Sequence, residues 1–284
     1  MRANISKLIE KNSDILANHN RDYLDKKCCS LPTVETVSEI VALVAESIFP
    51  GYLGKSTIAG ALLKSHITIN LERIYNLLLD QVERALRFDE GECCEQQCAT
   101  QITEQFIDSI AEIKEMLLTD VEAMYKADPA ATSFGEVIFC YPSIVTMSHH
   151  RIAHKLYQLG VPIIPRIISE IAHSKTGIDI HPAATIGRHF AIDHGTGVVI
   201  GETCIIGENV VIYQGVTLGA KGFRYDENGN IINLPRHPII EDNVKIYSNS
   251  SILGRITIGH DSVIGGNMWI DKDVEPYSKM IQAR

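Results

Sequence analysis

No stretch of this 284-residue sequence approaches the roughly 18–20 consecutive apolar residues that span a bilayer, so no membrane helix is expected. Residues 1–20 mix charges with isolated aliphatics and lack the order of a secretory signal. Cationic residues are scarce. Twenty-six Lys and Arg stand against 35 Asp and Glu, a net charge of −9, which excludes the basic face a nucleic-acid partner needs. A small anionic ligand remains compatible, through a local cluster of Lys and Arg. A disulfide framework is missing too: the seven cysteines are odd in number, and Cys28–Cys29 and Cys93–Cys94 are sequence neighbours. Reduced thiols in a cytoplasmic protein are the expectation. Cys93, Cys94 and Cys98 share an acidic stretch with no matching CxxC or histidine set, so no metal is expected there. What is present is 45% apolar residues, enough for one large or two ordinary globular domains.

Residues 1–176 read as a helical domain. A short amphipathic helix and a loop run to Leu31-Pro32, and a second helix spans Val34–Ile48, stopped by Pro50-Gly51. Ile58, Leu62, Leu71, Ile74, Leu78, Val82 and Ala85 step by three and four along one stripe. Ile102, Phe106, Ile110, Ile113, Leu117, Val121 and Met124 form another. Joined by a short acidic loop around Gly91, the two predict an antiparallel helix pair. Asp128-Pro129 predicts a helix start, with Asp as N-cap and Pro at the first helical position. Ser143–Leu159 predicts a further helix closed by Gly160, and a last one runs to about Lys175.

From 177 to 275 the rhythm changes to a period of six. Isoleucines fall at 240, 246, 252, 258, 264 and 270, and upstream at Ile180, Ile186, Ile192 and then Ile200, Ile206, Ile212, Leu218. Six is neither the helical nor the strand period. It fits a three-sided coil of short strands, a parallel β-helix, with the aliphatic residue inward on each side. Three places on stand Asn209, Gly215, Asn243, Asn249, Asp261, Asn267 and Asp273, types that tolerate a left-handed corner. The open end of such a prism wants a cap, which the helical domain can supply. The spare apolar surface of that domain is a plausible oligomer contact. Residues 276–284 read as a tail.

The period breaks twice. Two residues are inserted at Asp193-His194-Gly195-Thr196-Gly197, and sixteen at about 220–235, which must leave the prism as a protruding loop. Interruptions of a regular scaffold are where sites are built. Asp179 and His181, Asp193-His194, Glu202 and Arg236-His237 gather around them. An imidazole near its reference pKa of about 6.5 suits a general base at neutral pH. A carboxylate on its other nitrogen would fix the tautomer. Asp179 lies 15 residues before His194, close to one 18-residue coil, so the two can meet on neighbouring coils. A single histidine here reads equally well as a hydrogen-bonded surface residue; the whole set, lodged at the breaks, does not.

These motifs resemble serine O-acetyltransferases: Asp179 to Gly187, Asp193 to Thr203, Gln214 to Gly219 and Arg236-His237-Pro238, in family order. Thr119 to Ala123, Asp128 to Ala131 and Arg151 to His154 are similar to the family's helical domain. The resemblance implies an α+β chain: an all-α domain, then a left-handed parallel β-helix. It implies acetyl transfer from acetyl-CoA to the hydroxyl of L-serine, the first step of cysteine biosynthesis, with feedback by L-cysteine through the same pocket. On the matching positions His194 is the base and Asp179 its orienting partner. Arg236 grips the substrate carboxylate, Asp128 and Asp193 hold its ammonium, and His237 adds a contact. The backbone around Gly219 is the candidate oxyanion donor. For the cofactor the local candidates are Gly219, Ala220, Lys221, Arg224, Lys245 and Arg255. The family's prism is a trimer or dimer of trimers with acetyl-CoA between neighbours. The chain departs in its longer, more charged loop and in ending Gln282-Ala283-Arg284. Many relatives dock a terminal isoleucine into the sulfhydrylase of the next step, so that partnership is not expected here.

Two other readings are open. One is an O-acetyltransferase for a sugar or another hydroxyl acceptor. The other is a zinc-dependent, carbonic-anhydrase-like β-helix, suggested by the spacing of His189 and His194, with His154 as the nearest earlier histidine.

Overall fold

The computed structural model of the chain describes residues 2–17, 31–54, 60–90 and 96–282. Among the described residues seven α-helices come first: α1 (Arg2–Ala17), α2 (Val34–Ile48), α3 (Leu63–Glu90), α4 (Gln96–Ala127), α5 (Phe134–Cys140), α6 (Pro142–Gln158) and α7 (Ile164–Thr176). The two predicted stripes are α3 and α4, which pack together, and Ile74, Leu78, Val82, Phe106, Leu117 and Val121 are buried. Ile58, Gly91, Cys28, Cys29, Cys93, Cys94 and the last two residues lie outside the described residues. Among the described residues no helix is long and apolar enough to cross a membrane.

After α7, Gly177 turns the chain in a left-handed conformation (φ 70°), and a parallel β-solenoid of about five coils begins. Its first face holds β1 (Asp179–Ile180), β4 (Val199–Ile200), β7 (Thr217–Gly219), β10 (Ser251–Leu253) and β13 (Trp269–Ile270). The second holds β2 (Thr185–Ile186), β5 (Ile205–Ile206), β8 (Ile239–Ile240) and β11 (Thr257–Ile258). The third holds β3 (Ala191–Asp193), β6 (Val211–Tyr213), β9 (Lys245–Ile246), β12 (Val263–Ile264) and β14 (Lys279–Met280).

Every aliphatic residue of the six-beat pattern points inward and is buried, and of the residues two places before, Ala184, Val198, Cys204, Val210, Val216, Val244, Ser250 and Ser262 are buried as well. Ser250 and Ser262 are buried among them because their hydroxyls donate to the Gly265 and Glu275 carbonyls at 2.7 and 3.1 Å. Eighteen residues separate ladder partners such as Val199 and Thr217 or Ser251 and Trp269. The step is twenty from Asp179 to Val199, across the two-residue insertion, and thirty-four from Thr217 to Ser251, across the long loop. Both breaks are therefore absorbed at corners, and the ladders continue in register.

The C-terminal end corrects the sequence reading. Val274 follows Ile270 after four residues, bridges to Ile258, and brings Lys279-Met280 in as β14 beside β12. The solenoid thus runs past 275 into the stretch read as a tail. Asp273 does not take the expected left-handed turn; its carboxylate accepts the Thr257 amide at 2.7 Å, and Tyr277 (φ 62°) makes that corner. The other expected corners are left-handed, with φ between 57° and 70° at Asn209, Gly215, Asn243, Asn249, Asp261 and Asn267.

Helices α4, α6 and α7 close the first coil. At their centre the Arg151 guanidinium meets the fully buried Asp120 carboxylate at 3.0 and 3.1 Å. Arg151 also donates to the Ile186 and Gly187 carbonyls, while Asp120 accepts the Phe190 amide at 3.2 Å and Thr119 the His189 amide at 3.1 Å. The backbone leading into β3 is thereby tied to two helices at once.

Candidate active site

The first interrupted corner follows β3. His194 has φ 60° and Gly195 φ 85°, consecutive left-handed residues that only an insertion accommodates. A side chain at 195 would overlap Ile178, and the Gly197 amide donates to the Gly177 carbonyl at 2.8 Å, so this corner lies directly against the start of β1. The His194 ring projects outward with its side chain 73% exposed, and Nε2 lies 3.9 Å from the Asp193 carboxylate.

Asp128 joins this corner from the helical side, and the field of His194 reaches it. It is not the expected N-cap. One oxygen accepts the Ala130 amide at 2.8 Å in a side-chain turn, and the other accepts the Tyr141 hydroxyl at 2.5 Å. The cap of the next helix, α5, is Ser133, whose hydroxyl accepts the Glu136 amide at 3.1 Å. The Tyr141 bond, then the Ala130 amide, holds Asp128 below the usual carboxylate range.

A second cluster follows β4, one side of the prism away, roughly 15–20 Å along six residues of extended chain. His237 is buried against Gly201, where any added Cβ would overlap its ring. Its Nδ1 accepts the Thr203 amide at 3.1 Å and lies 2.9 Å from the Thr203 hydroxyl. Burial, followed by the Arg236 charge, pushes the His237 imidazole down to about 4, so it is neutral in the working range. Arg236 pairs with Glu202, donates to Asn233 at 3.0 Å and lies 5.9 Å from the Phe223 ring centre. Two of its five N–H groups are thus engaged.

Beside this cluster the protruding loop stands over the prism and closes a cleft of about 540 Å³. Lys221, Arg224, Arg236 and Arg255 line it, with Phe223 and Leu253 as apolar floor. Lys221 is held by Asp271 at 2.8 Å, and Arg255 donates to the Thr203 carbonyl at 2.7 Å. Ala220 leads into the loop, and Gly219 ends β7, its carbonyl accepting the Gly254 amide at 2.9 Å. Lys245 stands apart, on β9 of the third face.

The structure therefore brings together Asp128, Asp193 and His194 at one edge, and Arg236, His237 and the loop cations at another. It does not join the two edges within one chain. Nor is Asp179 hydrogen-bonded to His194: its carboxylate lies with Glu170 and His173 of α7, their ligand atoms within 4.8 Å of one another. His189 faces Glu122 at 3.5 Å, His194 faces Asp193, and His154 is bonded to the Pro182 carbonyl, each histidine with a separate partner. Two contributors escaped the sequence reading. Thr203 ties Arg236 and His237 to the β4 corner, and Tyr141 fixes Asp128. The pre-proline position of Tyr141 was the available signal.

The three-sided hexapeptide solenoid, with an imidazole on one broken corner and a cationic cleft at another, is the architecture of a hexapeptide-repeat acyltransferase. No family model matches the chain. It is 43% identical over 289 residues to "Serine acetyltransferase, plasmid" of Synechococcus elongatus, covering 99% of this chain and 90% of that one. The chain belongs to the serine acetyltransferase family. Among solved structures it is similar to Entamoeba histolytica serine acetyltransferase 1 in complex with L-cysteine, at 35% identity and TM-score 0.75 over 94% of each chain. It is also similar to the Neisseria gonorrhoeae serine acetyltransferase in complex with serine, at 27% identity and TM-score 0.56, covering 93% of this chain and 98% of that one.

Proposed function

We propose that the chain moves the acetyl group of acetyl-CoA onto the hydroxyl of L-serine, with His194 as general base. The observation that carries this reading is the exposed imidazole on an inserted, left-handed corner, with the Asp193 carboxylate 3.9 Å away and Asp128 within its field, two groups that can take an ammonium. His194 accepts the serine hydroxyl proton as the oxygen attacks the thioester carbonyl. The tetrahedral oxyanion collapses, the C–S bond breaks, and His194 returns the proton to the CoA thiolate. Asp179 orients the ring once it turns from Asp193 toward the adjacent β1. Asp128 and Asp193 hold the ammonium, and the free N–H groups of Arg236, beside His237, take the carboxylate.

The separation of the two edges supports a site shared between subunits of a trimer, one chain giving His194 and its neighbour Arg236 and the loop. Val199, Ile205 and Trp269 expose apolar surface on the prism faces, consistent with such packing. The cleft cations Lys221, Arg224 and Arg255 suit the phosphates of CoA, and the separate Lys245 is the weakest of the candidates. L-Cysteine carries the same charged groups as serine and should compete for the same pocket in the cytoplasm.

The test is thiol release from acetyl-CoA with a panel of hydroxyl acceptors. L-Serine should be preferred over sugars, and His194→Ala should lose about 10²–10⁴-fold in kcat. Unchanged turnover in that variant would remove the mechanism.

A further inference from the structure

Tyr141 stands between α5 and α6 in extended backbone (φ −85°, ψ 125°), one residue before Pro142. A residue before proline is driven out of the helical region. The two helices therefore cannot merge, and the half-buried Tyr141 ring packs against the core at the joint between them. The segment that leads to it is stapled at each step. Asp128 closes its turn on the Ala130 amide, and Glu136 accepts from the Thr132 amide and hydroxyl at 2.6 and 2.5 Å. Ser133 caps α5 in return. Phe134 packs on Tyr125 of α4 with ring centres 4.4 Å apart. The ends of this segment then meet, the Tyr141 hydroxyl donating to Asp128 Oδ2. Each oxygen of the carboxylate has one fixed donor and keeps acceptor capacity for another.

We propose that Tyr141 is a positioning residue for the acceptor's ammonium group, holding the Asp128 carboxylate in the orientation that receives the amine beside His194. The inference rests on the reading of Asp128 as an ammonium holder. Carboxylates without such a latch rotate freely about the side-chain bonds, and recognition of an amine next to a reacting hydroxyl needs a fixed direction. The bond also keeps Asp128 anionic at lower pH, while Asp128 in turn pushes the Tyr141 phenol up to about 12, so it remains a donor. The titratable groups around Asp128 are Tyr141 and Glu136 of its own segment, Asp193 and His194 of the corner and Tyr213 of β6.

Tyr141→Phe keeps the ring and deletes only the hydroxyl; Asp128→Asn is measured alongside. In Tyr141→Phe the KM for serine should rise roughly three- to tenfold while the KM for acetyl-CoA and the melting temperature stay unchanged. Because His194 remains the base that titrates on the acid side, the pH midpoint of kcat/KM should stay where it is in Tyr141→Phe, and the loss should appear in the KM for serine alone. Asp128→Asn should raise the serine KM at least as much. If Asp128→Asn weakens serine but Tyr141→Phe leaves the serine KM unchanged, the role of Tyr141 is overturned and that of Asp128 stands. If Asp128→Asn leaves serine unaffected, the Asp128 reading falls and this inference with it. Equal weakening toward both substrates in Tyr141→Phe also overturns it.

Discussion

His237 shows how one residue's surroundings set what it can do. Enclosed by Gly201, Thr203 and Arg236, its imidazole is neutral above about pH 4 and has no charge to change between pH 5 and 8. With Nδ1 accepting the Thr203 amide, Nε2 carries the proton and can donate a hydrogen bond to substrate, but the ring cannot supply the acid limb of the rate profile. His237→Asn should raise the serine KM severalfold yet leave the pH midpoints of kcat/KM where they are, as a pH–rate series on both proteins would show. Legibility at this scale was uneven. The Asp193-His194 pair could be found because an insertion into a strict period is visible as a slip in spacing. The pairing of Arg236 with Glu202, and the neighbours chosen by Asp179, could not, since both depend on which side chains a three-sided coil stacks on one edge.

At the scale of elements, the period of six was readable because each inward position asks only for an aliphatic side chain, whatever its neighbours are. The same logic explains the failure at Asp273, where a step of four from Ile270 to Val274 shifts the corner to Tyr277. The helix expected to open at Asp128-Pro129 starts instead at Phe134: α5 has seven residues, too few for a stripe, and its start is written in the Thr132-Ser133 and Glu136 capping contacts rather than in periodicity. Nor does a helix-by-helix reading reveal the Asp120–Arg151 pair, whose partners are thirty-one positions apart and which carries the helical cap onto the first coil. Removing one member strands a buried charge. Asp120→Ala should cost about 3–5 kcal/mol in urea unfolding. It should also loosen the His189-Phe190 corner, lowering kcat in the fraction that remains folded.

For the whole molecule, acid should be destabilising well before the carboxylates are titrated. Burial holds His149 down at about 4 and His150 well below its ordinary value, and neither ring nitrogen of His150 has a hydrogen-bond partner. Both imidazoles bind protons more readily in the unfolded chain, with a reference pKa of about 6.5. Their contribution to stability is full above that value and is lost as the pH falls from there toward 4. Melting temperatures measured from pH 7.5 to 4.5 should fall across this window, and His150→Leu should flatten the decline.

The ladder geometry also has a direction. A stack of rungs comes apart most easily where a rung has a neighbour on one side only, and here the helices are bolted to the rung that carries His194. Fraying should thus begin at the β13–β14 turn and advance toward the imidazole last, so the machinery sits at the end of the column that lets go latest.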